Sequence, residues 1–572
     1  MTETGYIVLI VALAVLAFLA GFGGSLLMRR RGKKVTQEDI PAVYTPENTA
    51  GAQANTPYAT ENTKPEKMGF QTKMMFDGSE VDTFSRAQPV LFDPKEQYTK
   101  WDGIVTFRGT PFRDSASCGS PRISKKAFGQ GFWQIETGSL EKSDISKGKG
   151  SRRWSGSGWT GQPLIVRWDD ETKAIMNIYP EKKAKPGLTE AIYATMDGNV
   201  YFIDIEDGQK TRDDLVVGLP FKGAGALHPS VPMLFLGPGD SLPDSAGEAG
   251  YARAFIYSLI DGKKLYEFGA KDPFAPRIFH GYDSSPLVHE KTDTLIWPGE
   301  NNIVYTMKLN TNYNRKAGTL SINPSEMLKW TYTTGRMSED SYWWGMEDSA
   351  AFYENYMYIA DNGGNMMCVD VNTMQLVWTQ DTKDDTNASP VFEVTENGEK
   401  HVYVAPSLHW EMNRQTGTGI ISIFKMNAIT GEIVWEKPYM VHSVNGVSGG
   451  VQATPVLGKG EIADLLIVPV ARTPFKRQGL LVALDKNTGE ERWVLKMPNY
   501  AWSSPAAVYA DDGKAYIVQC NSKGYMFLIE AATGKVLDKI NLGSNIEASP
   551  AVFGSTVVIG TRGRKIVGVR IE

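Results

Sequence analysis

Cysteine is scarce in this chain. Its 572 residues include three, Cys118, Cys368 and Cys520, far apart and never in a CxxC pair. That excludes a disulfide framework and a cysteine zinc site. A basic excess is missing as well. The formal net charge is -5, whereas nucleic-acid readers carry surplus Lys and Arg to neutralise phosphates, so no nucleic-acid partner is expected. No P-loop stands out, and His228, His280, His289, His401, His409 and His442 never fall at HxH or HxxxH spacing. Phosphate cradling and a local histidine metal site are therefore not expected. One GxGxxG match, GSGWTG at 156–161, runs into an expected strand rather than opening a helix, so it is no dinucleotide fingerprint. A triad assembled from distant loops leaves no local motif and escapes such a search.

Long apolar runs are missing too, with one exception at the start. Residues 6–28 (YIVLIVALAVLAFLAGFGGSLLM) carry no charge, and about 20 apolar residues suffice to cross a bilayer. A cleaved signal peptide normally has its basic residues before the apolar run. Here Arg29, Arg30, Arg31, Lys33 and Lys34 follow it. The reading is a short tail (1–5), a retained single-pass transmembrane helix (6–28), then a basic stop and a flexible linker rich in Thr, Asn, Pro and Ala (29–93). The linker holds too few large aliphatic residues to offset its chain entropy by burial. The basic flank favours the cytoplasmic side of a bacterial-type plasma membrane for everything after it.

What the rest of the chain has is repetition. VDVNTMQLVW (369–378), MNAITGEIVW (426–435), LDKNTGEERW (484–493) and IEAATGKVLD (529–538) each read as strand, tight turn, strand, with glycine supplying a positive φ in the last three. A small residue, usually followed by proline, stands before each expected innermost strand. The anchors are Pro163, Pro232, Pro286, Ala350, Pro390, Pro455, Pro505 and Pro550. Eight anchors at intervals of about 55 residues predict an all-β, eight-bladed β-propeller of four-stranded antiparallel blades over 94–572. The last copy has room for three strands only, so 131–139 (GFWQIETGS) is expected to supply the fourth and close the ring against 548–572.

The turn motifs ending in Trp378, Trp435 and Trp493, with the repeated Ser-Pro anchor, resemble the PQQ-like (pyrroloquinoline-quinone-type) β-propeller repeats. The segment from Trp101 to Asp114, followed by FWQIETG and GWTGQP, is similar to the opening of proteins of that superfamily. The resemblance implies the propeller fold, with those tryptophans docking one blade on the next. For function it implies either a quinoprotein-like oxidoreductase or a propeller like the subunit of outer-membrane barrel assembly. It also implies work outside the cytoplasm, against the charge argument. Quinoprotein alcohol dehydrogenases hold Ca²⁺ through carboxylate and amide oxygens and usually place adjacent cysteines over the quinone. This chain has no Cys-Cys pair, so no cofactor is expected, and PQQ with calcium is the alternative.

The expected site is the channel mouth. Three positions before the anchor stand Thr160, Asp283, Glu347, Asn387, Gln452, Trp502 and Glu547, the second blade being ambiguous. Trp159, Trp343 and Trp344 flank them, with Trp154, His280, Tyr282 and Tyr500 nearby. Polar groups converging among aromatics describe a pocket for a protein, peptide or glycan, unless they merely cap strand ends around a water-filled channel. Asp283, Glu347 and Glu547 are expected to crowd one axis and raise at least one carboxyl pKa. The functional reading is a membrane-anchored binding or assembly module, with a quinoprotein-like oxidoreductase using PQQ and calcium as the alternative.

Overall fold

The computed structural model describes residues 56–141, 153–242, 246–336, 343–413, 415–444 and 448–572. Eight antiparallel sheets form a propeller. Their innermost strands are Leu164–Arg167, Ala226–Leu227, Leu287–His289, Ala351–Tyr353, Val391–Val394, Val456–Leu457, Ala506–Tyr509 and Ala551–Phe553, here the first to eighth blades. The expected anchor and basic flank lie outside the described residues. Among the described residues no helix is long and apolar enough to cross a membrane.

The repeated small residue has a clear physical role. The N–H of Ser285 donates to Ser349 Oγ (2.9 Å), that of Ser349 to Ser389 Oγ (2.8 Å), and that of Ser389 to Thr454 Oγ1 (3.1 Å). Thr454 continues to Ser504 Oγ (2.9 Å), and Ser504 to Ser549 Oγ (3.1 Å). A belt of hydroxyls thus satisfies buried backbone donors and ties the third through eighth blades together in sequence. At the periphery the tryptophans do the same work. Trp378, Trp435 and Trp493 donate through Nε1 to the carbonyls of Ala428, Lys486 and Ala531 in the following blades. Gly431 has φ +74°, and a Cβ there would stand 2.7 Å from the Trp378 ring. Only glycine serves both the turn and the stacked indole.

The eighth blade takes its outer strand from far upstream. Phe128–Glu136 pairs antiparallel with Lys565–Ile571, setting Trp133 opposite Gly568. Trp133 then donates to the carbonyl of Ile205 in the first blade (2.9 Å). The ring is closed through the two ends of the domain, so the edge of Lys565–Ile571 is not left open.

Two expectations are corrected. From Thr56 onward the segment expected as flexible linker is ordered. Gln71–Phe76 pairs with Ser325–Thr333, and Ser79–Val81 pairs with Gln71–Phe76, so the third blade gains two outer strands. Phe70, Val90 and Phe92 are buried in the cluster between the third and fourth blades. A polar segment with few apolar residues holds here because finished blades offer both an edge to pair with and a core to enter. The second blade's anchor is corrected too. Its innermost strand is Ala226–Leu227, so Pro232 stands before the second strand, Met233–Leu236.

The segment after Trp101 stoppers the channel. Its carbonyls at Val105, Pro111, Phe112 and Ala116 accept from Leu227, Phe352, Phe392 and Val552, in four different blades. Arg108, 1% exposed, reaches the carbonyls of Pro455 (3.0 Å) and Pro505. Arg113 reaches those of Ala350 and Ser285, both at 2.8 Å. Two buried guanidiniums therefore bind carbonyls at or beside the anchor positions, and burial pulls each pKa down to about 10.

Candidate functional site

With the second blade in register, the position three residues before its anchor is Lys222. The mouth carries a ring of eight: Thr160, Lys222, Asp283, Glu347, Asn387, Gln452, Trp502 and Glu547. Seven of these line one cavity of about 330 Å³, together with Trp154, Trp159, Trp343, Arg277, Glu300 and His280. Gln452 and Glu347 also face Phe107 of the stopper in a smaller cavity beneath.

Of the ten residues expected at the mouth, Trp159, Thr160, Asp283, Trp343, Glu347, Asn387, Gln452 and Trp502 line this cavity. The structure does not bring the other two to it. Trp344 is 9% exposed and Glu547 is 8% exposed, and neither lines it. Glu547 instead sits 3.5 Å from Arg562, and Arg562 lies over the Trp159 ring. Tyr282 is buried against Trp297 inside the second and third blades.

The pKa values of Asp283, Glu347 and Glu547 are raised, as the expected crowding requires, mainly by burial. Each of these acids also lies beside a cation. Lys222 Nζ is 3.1 Å from Asp283 Oδ2, Arg277 is 3.7 Å from Glu347 and 3.5 Å from Glu300, and Arg562 holds Glu547. Gly345 makes room for this, since a Cβ there would stand 1.5 Å from Arg277 Nη1. Burial opposes the Lys222 charge, yet Asp283, Glu300, Glu347 and Asp240 hold its pKa well above the ordinary lysine value. Burial, with Glu300 and Asp240, pushes Asp283 up to about 7 against the pull of Lys222. Burial, with Glu347 and Asp240, pushes Glu300 up to about 7 against Lys222 and Arg277. Four acids around two cations leave the mouth acidic, with Asp283, Glu300 and Glu347 all pushed above the ordinary carboxylate range by burial.

The opposite wall is aromatic. Trp159 and Trp502 stack at 5.9 Å and 28°, Trp154 meets Trp159 edge-on at 6.1 Å, and Tyr500 backs Trp502 at 5.5 Å. Sequence reasoning missed Lys222, Arg277 and Glu300. Lys222 was recoverable from the repeat register; the other two sit on loops of irregular length.

A Ca²⁺-held quinone does not fit these donors. Lys222 and Arg277 are already committed to the carboxylates, and none of the three cysteines lines the cavity. Among the described residues no group of three or more His, Cys, Asp or Glu side chains is arranged to hold a metal. A tricarboxylate such as PQQ would also face Asp240, Asp283, Glu300 and Glu347.

The fold is an eight-bladed β-propeller, and its repeats are similar to those of PQQ-like propeller proteins. Residues 477–572 match the family model described as outer membrane protein assembly factor BamB. Two curated relatives are quinoprotein ethanol dehydrogenases. That of Pseudomonas putida is 25% identical over 32% of this chain, and that of Pseudomonas aeruginosa 25% identical over 29%. The matches span 28% and 24% of those relatives' own length. Among solved structures, quinohemoprotein alcohol dehydrogenase ADHIIG from Pseudomonas putida HK5 superposes with a TM-score of 0.51 at 12% identity, covering 82% of this chain and 80% of that one. Parts of the chain are thus similar both to an assembly factor and to quinoprotein dehydrogenases.

Proposed function

We propose that the protein is a membrane-anchored binding and assembly module. Residues 6–28 hold it in a plasma membrane, and the propeller mouth takes a protein, peptide or glycan. The observation that supports this most is the two-sided cavity. A stacked indole wall offers a flat apolar face to a sugar or aromatic side chain, and the paired-charge wall offers carboxylates to hydroxyl or ammonium donors. The basic flank argues for the propeller on the cytoplasmic side, in which case protease added to intact cells leaves it whole.

The full chain, purified in detergent, tests this by pull-down from solubilised membranes with PQQ and Ca²⁺ titrated into a parallel sample. A captured partner with an unchanged absorption spectrum supports the module. A shifted chromophore with dye reduction by alcohols or sugars supports the quinoprotein-like oxidoreductase that the dehydrogenase matches favour.

A further inference from the structure

One corner of the cavity carries chemistry that simple binding does not require. Ser448, His409 and Asp385 all line it, and they come from three separate loops around the fifth blade. Backbone pairing sets their alignment. Ser407 pairs with Gly450 and Leu408 with Gly449 in an antiparallel ladder, so the next residues outward, His409 and Ser448, lie opposite one another. The N–H of Ser407 donates to the carbonyl of Asp385 (2.7 Å), which ties the third loop to the same ladder.

The side chains follow that frame. Ser448 Oγ bonds His409 Nε2, and His409 Nδ1 pairs with Asp385 Oδ2. Asp385 is 1% exposed, and it accepts from Asn362 Nδ2 (2.7 Å) and Asn387 Nδ2 (3.0 Å). The Asp384 carboxylate accepts the backbone N–H groups of His409, Trp410 and Glu411 at 3.0 to 3.1 Å, fixing the loop that carries the imidazole. Trp343 packs on the His409 ring at 5.8 Å. Nucleophile, base and orienting carboxylate are recognised by such roles rather than by chain order or motif.

We propose that Ser448, His409 and Asp385 form a serine-nucleophile site that hydrolyses an ester bond of a ligand seated in the mouth. Ser448 Oγ attacks the carbonyl carbon as its proton passes to His409 Nε2. The C–O bond to the alcohol breaks, and His409 returns that proton to the leaving alkoxide. Water then attacks the acyl-serine, gives its proton to His409, and releases the acid as Ser448 is reprotonated. Asp385 is a positioning residue that holds the imidazole and balances its charge. Gln452 faces the same cavity and makes no side-chain hydrogen bond with any described residue, so its amide is available to the carbonyl oxygen.

The electrostatics give the activity an alkaline profile. Burial disfavours the charged imidazole, but Asp385, Asp384 and Glu347 outweigh it and raise His409 to about 9, with Arg277 the facing cation beyond Glu347. His409 is therefore mostly imidazolium at neutral pH and becomes a base as pH rises.

The test is a fluorophosphonate probe on the full-length protein in detergent, with the adduct located by peptide mass spectrometry. Labelling of Ser448 is expected to rise about fifty-fold from pH 7 to pH 9, following the neutral fraction of a group titrating at about 9. His409→Gln should abolish it, and Asp385→Asn should weaken it and move the rise toward neutral pH. Because the adduct is mapped on the wild-type protein, the answer survives if a variant fails to fold. No adduct on Ser448 between pH 7 and 10, or an adduct indifferent to His409→Gln in a protein that melts normally, overturns the proposal. Failure here leaves the binding role standing, since a mouth that captures its partner without labelling rejects only the hydrolytic site.

Discussion

Lys222 and Asp283 occupy the same repeat position in consecutive blades and meet as an ion pair at 3.1 Å across the blade boundary. Repetition has thus produced a charge pair from two copies of one structural slot. Lys222→Met should cost about 3 kcal/mol, because it leaves a buried carboxylate without its counter-ion. Adding Asp283→Asn should restore most of that loss. Denaturant titration of the single and double variants measures both steps.

Asp283 and Glu300 are both pushed up to about 7. Their unfolded values lie near 4, so the folded state binds more protons between about pH 4 and pH 7, and stability falls as pH rises through that window. His409, raised to about 9, contributes stability that is full below its unfolded value near 6.5 and lost as pH rises through about 9. Melting temperature should therefore decline from pH 6 to pH 9 in low salt. Asp283→Asn with Glu300→Gln should flatten the lower part, and His409→Gln the upper.

The number of blades, their strand order and the docking tryptophans were legible because one blade cannot bury both its faces, which forces a periodic pattern on the sequence. The pattern is lost where the period breaks. The second blade has no proline before Ala226, so the repeat points to Pro232 instead and hides Lys222. The 56–93 strap uses backbone pairing and a few residues such as Phe70 and Phe92, and its composition looks like linker. Arg108 and Arg113 were visible in the sequence, but nothing local indicates that they would meet carbonyls several blades apart. Ser448, His409 and Asp385 come together through the pairing of two-residue strands, which no periodicity reveals.

The strap gives a stability test. Deleting residues 56–81 removes two strands from the third blade, exposes the edge of Ser325–Thr333 and empties the place of Phe70. Melting should fall clearly and aggregation should increase through the freed edge. An unchanged melt would mean the strap contributes nothing to the fold.

Truncating a docking tryptophan should be costly without touching the mouth. Trp378 is fully buried and packs against Gly431 of the next blade. Trp378→Ala should cost about 3 to 5 kcal/mol, read by denaturant unfolding. Partner capture should be preserved at temperatures where the variant stays folded.

Capture by mouth variants tests the central claim most directly. Trp159→Ala with Glu347→Gln removes one face from each wall of the cavity, while Glu547→Gln changes a rim acid that lies outside it. Full-length protein of each kind, matched by melting temperature, is used to pull down partners from solubilised membranes. A binding mouth predicts that the double variant loses capture and that Glu547→Gln keeps it. Wild-type capture by the double variant would contradict the account and move the binding surface to the outer edges of the blades.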